Sequence, residues 1–243
     1  MGGRGTVSVS GGKIHIGSLY GGANDVSNVG GSRDRRDDVR RMFEMSGFSD
    51  VRGLDGMDTA VIGSYAITLQ NLEGQYGAVE KIGGRIEVLG MDSASAIAAV
   101  RLDYNDTANA LLLNRNALSS ISGRSKAQRS AEASGWLMPS GGDVRSLSQY
   151  AVTHEYGHLL QNAYFQRDRK SNSGLTEGRH ARSQANQILR IAKNKYGATQ
   201  KDVSTYGSRN SNEFFAEAFA NAHSGNPNAI GKAMNDWLRQ NRL

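Results

Sequence analysis

Two histidines lie four residues apart in the segment His154-Glu155-Tyr156-Gly157-His158. Residues four apart share one face of a helix, about 5–6 Å from each other, so both imidazoles can reach one metal ion. A glutamate beside the first histidine is placed to take a proton from water at the open position of that metal. The spacing predicts a metal clamp with Glu155 as general base. The alternative is a helix that merely contains two histidines.

A third metal ligand has to come from elsewhere in the chain. The sequence contains no cysteine, so only His, Asp or Glu can bind the metal, and a catalytic zinc needs three such ligands and one open position. Glu213 and Glu217 share one face of a predicted helix that is otherwise apolar, where unpaired carboxylates are costly to bury. We expect one of them to bind the metal and the other to accept the outer N–H of a ligand histidine. A solvated helix face is the alternative.

One tyrosine and three further histidines need a separate interpretation. Tyr206 precedes Glu213 by seven residues, in a predicted loop, and near a metal it would donate a hydrogen bond to an oxyanion; packing is the alternative. His15, His180 and His223 are expected to be structural or solvated. A contact of His223 with a metal ligand stays open, because it follows the Glu213 helix.

The elements that position these residues are predicted from composition and periodicity. A length of 243 residues fits one domain with two lobes, and ten of its 30 glycines lie in residues 1–31, where either a hairpin or a flexible segment fits. Apolar residues at three- and four-residue intervals indicate helices, and short β-branched or leucine-rich runs indicate strands. The predicted elements are helices over 33–45, 59–82, 93–101, 148–165, 178–196, 212–223 and 230–240, strands around Ile86 and Leu112, and a polar loop over 119–134.

Three separated segments resemble one known family. HEYGH at 154–158, Tyr206, and NEFFAEAFA at 212–220 resemble the lethal-factor-like zincin metallopeptidases, which are gluzincins. That family includes the catalytic domain of anthrax lethal factor and metallopeptidase domains of phage structural proteins and bacterial effectors. The resemblance implies a zinc-dependent metalloendopeptidase in which Tyr206 stabilises the transition state.

The same resemblance implies the metal ligands. It assigns His154, His158 and Glu213 to one Zn²⁺ per chain and gives Glu155 the role of activating water. By the same resemblance, Glu217 is the carboxylate that orients one of the two motif histidines.

The implied fold is an α+β zincin. Residues 32–147 would form an N-terminal lobe with a small mixed sheet and helices, and residues 148–243 a mostly helical lobe, with the active-site helix between them. An extended substrate would pair with the edge strand of the sheet. By that analogy the residues lining the cleft are Leu111, Leu112 and Leu113.

Charge and hydropathy restrict the partners. A net charge of +6 is typical of a solvated surface, and the basic segment 167–201 has no recognised nucleic-acid motif, so we expect a protein or peptide substrate and no nucleic acid. No apolar run approaches the ~18 residues of a membrane span, and no signal-peptide pattern begins the chain. Location and oligomeric state stay open. The alternative function is a phage- or effector-associated structural or binding module that keeps a zincin fold and processes itself.

Overall fold

The computed structural model of the chain is an α+β fold in the part it describes. A mixed sheet and two helices come from the first half of the chain, and four helices come from the second half. The described residues are 5–10, 13–18, 33–55, 59–79, 84–89, 98–102, 108–115, 129–130, 132–138 and 144–242.

Strands and helices follow each other along the first half, whereas the second half is helical. The strands are β1 (Gly5–Ser10), β2 (Lys13–Ser18), β3 (Phe48–Arg52), β4 (Gly84–Leu89), β5 (Ala98–Leu102) and β6 (Ala108–Asn114). The helices are α1 (Arg33–Met45), α2 (Thr59–Tyr76), α3 (Val144–Arg169), α4 (Glu177–Tyr196), α5 (Ser211–Ala222) and α6 (Ala229–Gln240). A short 3₁₀ helix, Gln200–Asp202, precedes α5.

Strands β1 and β2 pair antiparallel, with Val7 opposite Ile16. Within residues 1–31 this strand pair agrees with the hairpin alternative, and residues 1–4, 11–12 and 19–31 lie outside the described residues. The other four strands form a second sheet in the order β3-β4-β6-β5. In that sheet β4 is parallel to both β3 and β6, and β5 runs antiparallel to β6. Strand β5 thus lies at one edge and β6 lies inside the sheet.

The predicted placement of the cleft strand was wrong. Strand β6 lies between β4 and β5, so Leu112 pairs with Glu87 on one side and Ala99 on the other. Leu111 and Leu113 are buried in the core. Leu111, Leu112 and Leu113 therefore lie in an inner strand rather than along a free edge, and the edge belongs to β5.

Strand β5 also corrects the helix predicted over 93–101. Its alanines carry no strand signal of their own, and the pairing with β6 decides their conformation. Residues 93–97 of that prediction lie outside the described residues. Strand β3 was missed because only Phe48 and Val51 of its five residues are buried, too few to show an alternation.

Most predicted helices are confirmed to within a few residues. Helix α1 has the predicted bounds, and α4, α5 and α6 begin one residue earlier than predicted. Helix α2 ends at Tyr76 instead of 82, where Gly77 adopts a left-handed conformation with φ 62°. Helix α3 begins at Val144, four residues before the predicted start. Of the polar loop predicted over 119–134, residues 119–128 lie outside the described residues, and 129–130 and 132–133 are helical.

Helix α5 packs against the three other helices of the second half, and its approach to α3 is close. A Cβ atom added to Gly157 would lie 2.9 Å from the Cα atom of Ala216 and 3.2 Å from the Cβ atom of Phe219. Only glycine allows this approach, and it occurs between the two histidines of α3. Among the described helices, none is long and apolar enough to cross a membrane.

Candidate metal centre

The two motif histidines present their rings on one face of α3. The ring centroids of His154 and His158 are 5.0 Å apart in an edge-to-face arrangement. His154 is buried and His158 is partly exposed. The helix thus places the two imidazoles one turn apart, as the spacing predicts.

Glu213 reaches these rings from the first turn of α5. The side chain of Asn210 caps that helix by accepting hydrogen bonds from the backbone N–H groups of Asn212 and Glu213. The cap fixes where α5 begins, and the positive end of the helix dipole favours a carboxylate in its first turn. The Oε2 atom of Glu213 lies 3.2 Å from Nε2 of His154 and 3.5 Å from Nε2 of His158.

These three side chains fit a metal ion. Their ligand atoms all lie within 4.8 Å of one another. A tetrahedral zinc with bonds of about 2.0–2.1 Å holds its ligand atoms about 3.3–3.4 Å apart, close to the two distances from Glu213. Two imidazoles and one carboxylate are also a donor set that zinc uses in catalytic sites. His154, His158 and Glu213 could therefore hold a metal and leave one position open.

The charges of the ligands depend on each other. Burial lowers the pKa of His154, but hydrogen bonds with Glu213 and Glu217 outweigh burial and raise that pKa to about 10. Burial raises the pKa of Glu213, and the contacts with His154 and His158 more than offset this and hold it well below its usual range. In the metal-free chain the ring of His154 therefore favours its protonated form. A divalent ion that binds this ring has to displace one of its protons.

Glu217 lies beneath the histidines and is completely buried. It accepts hydrogen bonds from the backbone N–H of Met138 at 2.9 Å, the Tyr150 hydroxyl at 3.2 Å and the Ser204 hydroxyl at 3.0 Å. Its other oxygen lies 3.1 Å from Nδ1 of His154. This contact directs the Nδ1 proton of His154 to Glu217 and leaves Nε2 facing Glu213.

A cleft of about 260 Å³ opens in front of the candidate ligands. Glu155 lines the cleft, and its carboxylate has no hydrogen-bond partner among the described residues. On one side the cleft is lined by the edge strand, through Ala98, Ala99 and Val100. Polar side chains line the rest, including those of Gln161, Asn162, Glu177, Asn210 and Asn212.

Tyr206 lies beside His154 at the same cleft, with 5.7 Å between the ring centroids. Burial and the nearby carboxylates of Glu213 and Glu155 raise the pKa of its phenol well above the usual range. The hydroxyl therefore keeps its proton at neutral pH and can act as a hydrogen-bond donor.

The other histidines lie away from the candidate ligands where their side chains are described. His180 contacts Asp168 at 3.0 Å. The ring nitrogens of His223 contact the Tyr76 hydroxyl and the backbone oxygen of Phe219, so this histidine supports the packing of α5 against α2. The side chain of His15 lies outside the described residues.

Sequence reasoning missed two residues next to the site, Trp136 and Arg209. Trp136 and Arg209 come from separate loops and both contact the ring of Tyr206. A contact between distant segments such as 136 and 206 has no signature in the local sequence. Comparison with protein-family models, curated proteins and solved structures found no match to this chain. Its function has therefore to be inferred from the geometry of the site.

Proposed function

We propose that the chain is a zinc-dependent metalloendopeptidase of the lethal-factor-like zincin type. The observation that carries this proposal is the environment of His154. One of its ring nitrogens meets Glu213, which also meets His158, and the other meets the buried Glu217. A His₂Glu donor set, with a carboxylate behind one ligand and the carboxylate of Glu155 at the cleft, suits hydrolysis by a metal-activated water.

When bound, the metal supplies a Lewis acid that polarises the peptide carbonyl and lowers the pKa of water. Glu155 takes a proton from the attacking water as the water oxygen bonds to the carbonyl carbon. The same carboxyl group then delivers that proton to the amide nitrogen as the C–N bond breaks. Tyr206 donates its phenolic hydrogen to the carbonyl oxygen while that oxygen carries negative charge.

The edge strand supports an extended peptide as the substrate. Residues Ala98 to Val100 of β5 line the cleft together with Glu155 and Tyr206, and among the described strands β5 pairs only with β6. The unpaired edge of a strand offers backbone N–H and C=O groups at the spacing of an extended chain. A peptide paired there would pass in front of Glu155.

The first experiment measures zinc content by elemental analysis and cleavage of a diverse peptide library. We expect one zinc per wild-type chain. Glu155→Gln should keep the zinc and lose about a hundredfold to ten-thousandfold in kcat. Glu44→Gln, an exposed carboxylate on α1, is the matched control and should leave both unchanged. A wild-type chain without zinc, or with zinc but without cleavage, would overturn the proposal.

A further inference from the structure

The ring of Tyr206 is positioned by neighbouring side chains. It lies in the turn between the 3₁₀ helix and α5, so no regular element holds it. One neighbour of the ring is His154, and another is Trp136, whose ring centroid lies 6.0 Å away. A phenol that assists a reaction has to be held in place, since a shift of about 1 Å can cost about a hundredfold in rate.

The backbone around Tyr206 is pinned by a separate segment, 135–138. The N–H groups of Thr205 and Tyr206 donate to the carbonyl oxygens of Gly135 and Trp136, both at 2.9 Å. The same segment reaches the buried Glu217 through Met138. The backbone of Tyr206 is thereby tied to the residue that orients His154.

The guanidinium of Arg209 packs against the rings of both Trp136 and Tyr206. The central carbon of its guanidinium lies 4.8 Å from the ring centroid of Trp136 and 5.2 Å from that of Tyr206. Its backbone N–H donates to the carbonyl oxygen of Tyr206 at 3.1 Å. Within the described part of the chain this arginine pairs with no carboxylate. Two aromatic rings are therefore its side-chain partners, an arrangement that suits the flat guanidinium.

We propose that Arg209 and Trp136 are positioning residues that hold the phenol of Tyr206 at the cleft, an inference that rests on the proposed peptidase function. Of the three side chains only Tyr206 lines the cleft, so the other two act through it. The ring of Tyr206 contacts His154, Trp136 and Arg209, and these contacts restrict where the phenol can lie. The pair should therefore affect the rate of the reaction and leave metal binding unchanged.

A double-mutant cycle tests this role. Arg209→Ala should lower kcat about tenfold and change KM by less than about twofold, because the lost interaction acts only on the transition state. Trp136→Ala should have a similar effect. In a Tyr206→Phe background, Arg209→Ala should change kcat by less than about twofold, since residues acting through one group are not additive. Arg209→Lys, which keeps a cation over the rings, should recover part of the rate.

Arg190→Ala, an exposed arginine on α4, is the matched control and should keep the wild-type kcat. Zinc content and melting temperature should be the same in all of these variants. An Arg209→Ala enzyme with wild-type kcat, or with an equal loss in the Tyr206→Phe background, would overturn the positioning role while leaving the peptidase standing.

A spectroscopic readout separates this inference from the proposed function. The difference in near-UV circular dichroism between wild type and Trp136→Phe isolates the band of Trp136. Arg209→Ala should weaken that band whether or not any peptide is cleaved, and Arg190→Ala should leave it intact. A weakened band in a chain that cleaves nothing would contradict the peptidase and keep the Arg209–Trp136 contact. An unchanged band would contradict that contact itself.

Discussion

Two carboxylates on α5, one turn apart, meet the imidazole of His154 in different surroundings. Glu217 is fully buried, and protein donors occupy its oxygens. Glu213 lies at the cleft with a fifth of its side chain exposed, and Glu155 nearby has no hydrogen-bond partner among the described residues. The buried region around Glu217, here called the floor, is complete once the chain folds. The region of Glu213 and Glu155, here called the mouth, is completed only by a ligand.

This difference has an energetic basis. A buried carboxylate is tolerated only when charge-assisted hydrogen bonds replace its water, and Glu217 has these from three chain segments besides His154. At the mouth Glu213 contacts His154 and His158, the same groups that a metal ion would bind, so an arriving ion replaces these contacts. Substitutions in the floor should therefore change folding and metal binding together. Substitutions in the mouth should change metal binding or turnover, with a smaller effect on the metal-free fold.

The largest expected effect comes from Glu213→Ala in the mouth. Zinc affinity should fall by more than about a hundredfold, because loss of a direct ligand costs more than loss of an outer contact. The melting temperature of the metal-free chain should fall less than in Glu217→Gln, because Glu213 is partly exposed and Glu217 is fully buried. Competition with a fluorescent zinc chelator measures the affinity. Glu177→Ala removes another carboxylate from the cleft and is the control; an equal loss of affinity there would contradict the ligand role of Glu213.

Glu217→Gln tests the floor and should lower both quantities. Zinc affinity should fall about 10–100-fold, since Nδ1 of His154 loses its charged partner. The free energy of unfolding of the metal-free chain should fall by about 1–3 kcal/mol, because the amide N–H₂ of glutamine meets donors that the carboxylate accepted. Urea titration of the metal-free protein measures it. A variant that loses zinc affinity with wild-type stability would show that floor and mouth are not distinct.

Gly157→Ala tests the contact that brings α3 and α5 together. The added Cβ would lie 2.9 Å from a backbone atom of Ala216, and such overpacking costs about 1–3 kcal/mol, against a gain in helix propensity of about 0.5–1 kcal/mol. We expect a lower melting temperature and weaker zinc binding, since α5 carries both Glu213 and Glu217. Gly178→Ala, an exposed helical site with open space around it, should be neutral or stabilising. A stabilised Gly157→Ala would mean that α5 can move away freely.

The contrast between floor and mouth was only partly readable from the sequence. Residues four apart on a helix share a face, so the pairs His154 and His158, and Glu213 and Glu217, followed from spacing alone. The choice of Glu213 rather than Glu217 as the candidate ligand came from the family resemblance, and the structure places Glu213 toward Nε2 of both histidines. The donors to Glu217 come from residues far from it in the sequence. The periodicity of a single helix cannot predict such contacts.

The sheet was harder to predict for the same reason. Helices depend on neighbours within four residues, and their predicted bounds agree with the structure to within a few residues for α1, α4, α5 and α6. Strand β5 begins with two alanines, which have weak strand preference, and its pairing with β6 fixes its register. The order β3-β4-β6-β5 depends on such long-range pairing, and this is why the edge strand was assigned to Leu111, Leu112 and Leu113.

The smallest expected effect lies outside both regions, at Asp236 on α6. Hydrogen bonds from Lys195 and Tyr196, with Arg239, lower its pKa to about 2, below the ~3.9 of an unfolded chain. A depressed pKa stabilises the fold above pH ~4, and that stability is lost as the pH falls toward 2. Asp236→Asn should therefore lower the free energy of unfolding by about 1–2 kcal/mol at neutral pH, and by about half as much at pH ~3.

Urea titrations of the metal-free wild type and of Asp236→Asn at both pH values measure this difference, and zinc affinity at neutral pH should be the same in the two proteins. The variant thus separates the acid sensitivity of the helical packing from that of the metal-site residues. A stability difference that stays constant between neutral pH and pH ~3 would show that the charge of Asp236 is not its source. Helix α5 packs against both α4 and α6. A change in zinc affinity would therefore show that loss of the Asp236 contacts alters the position of Glu213 through α5.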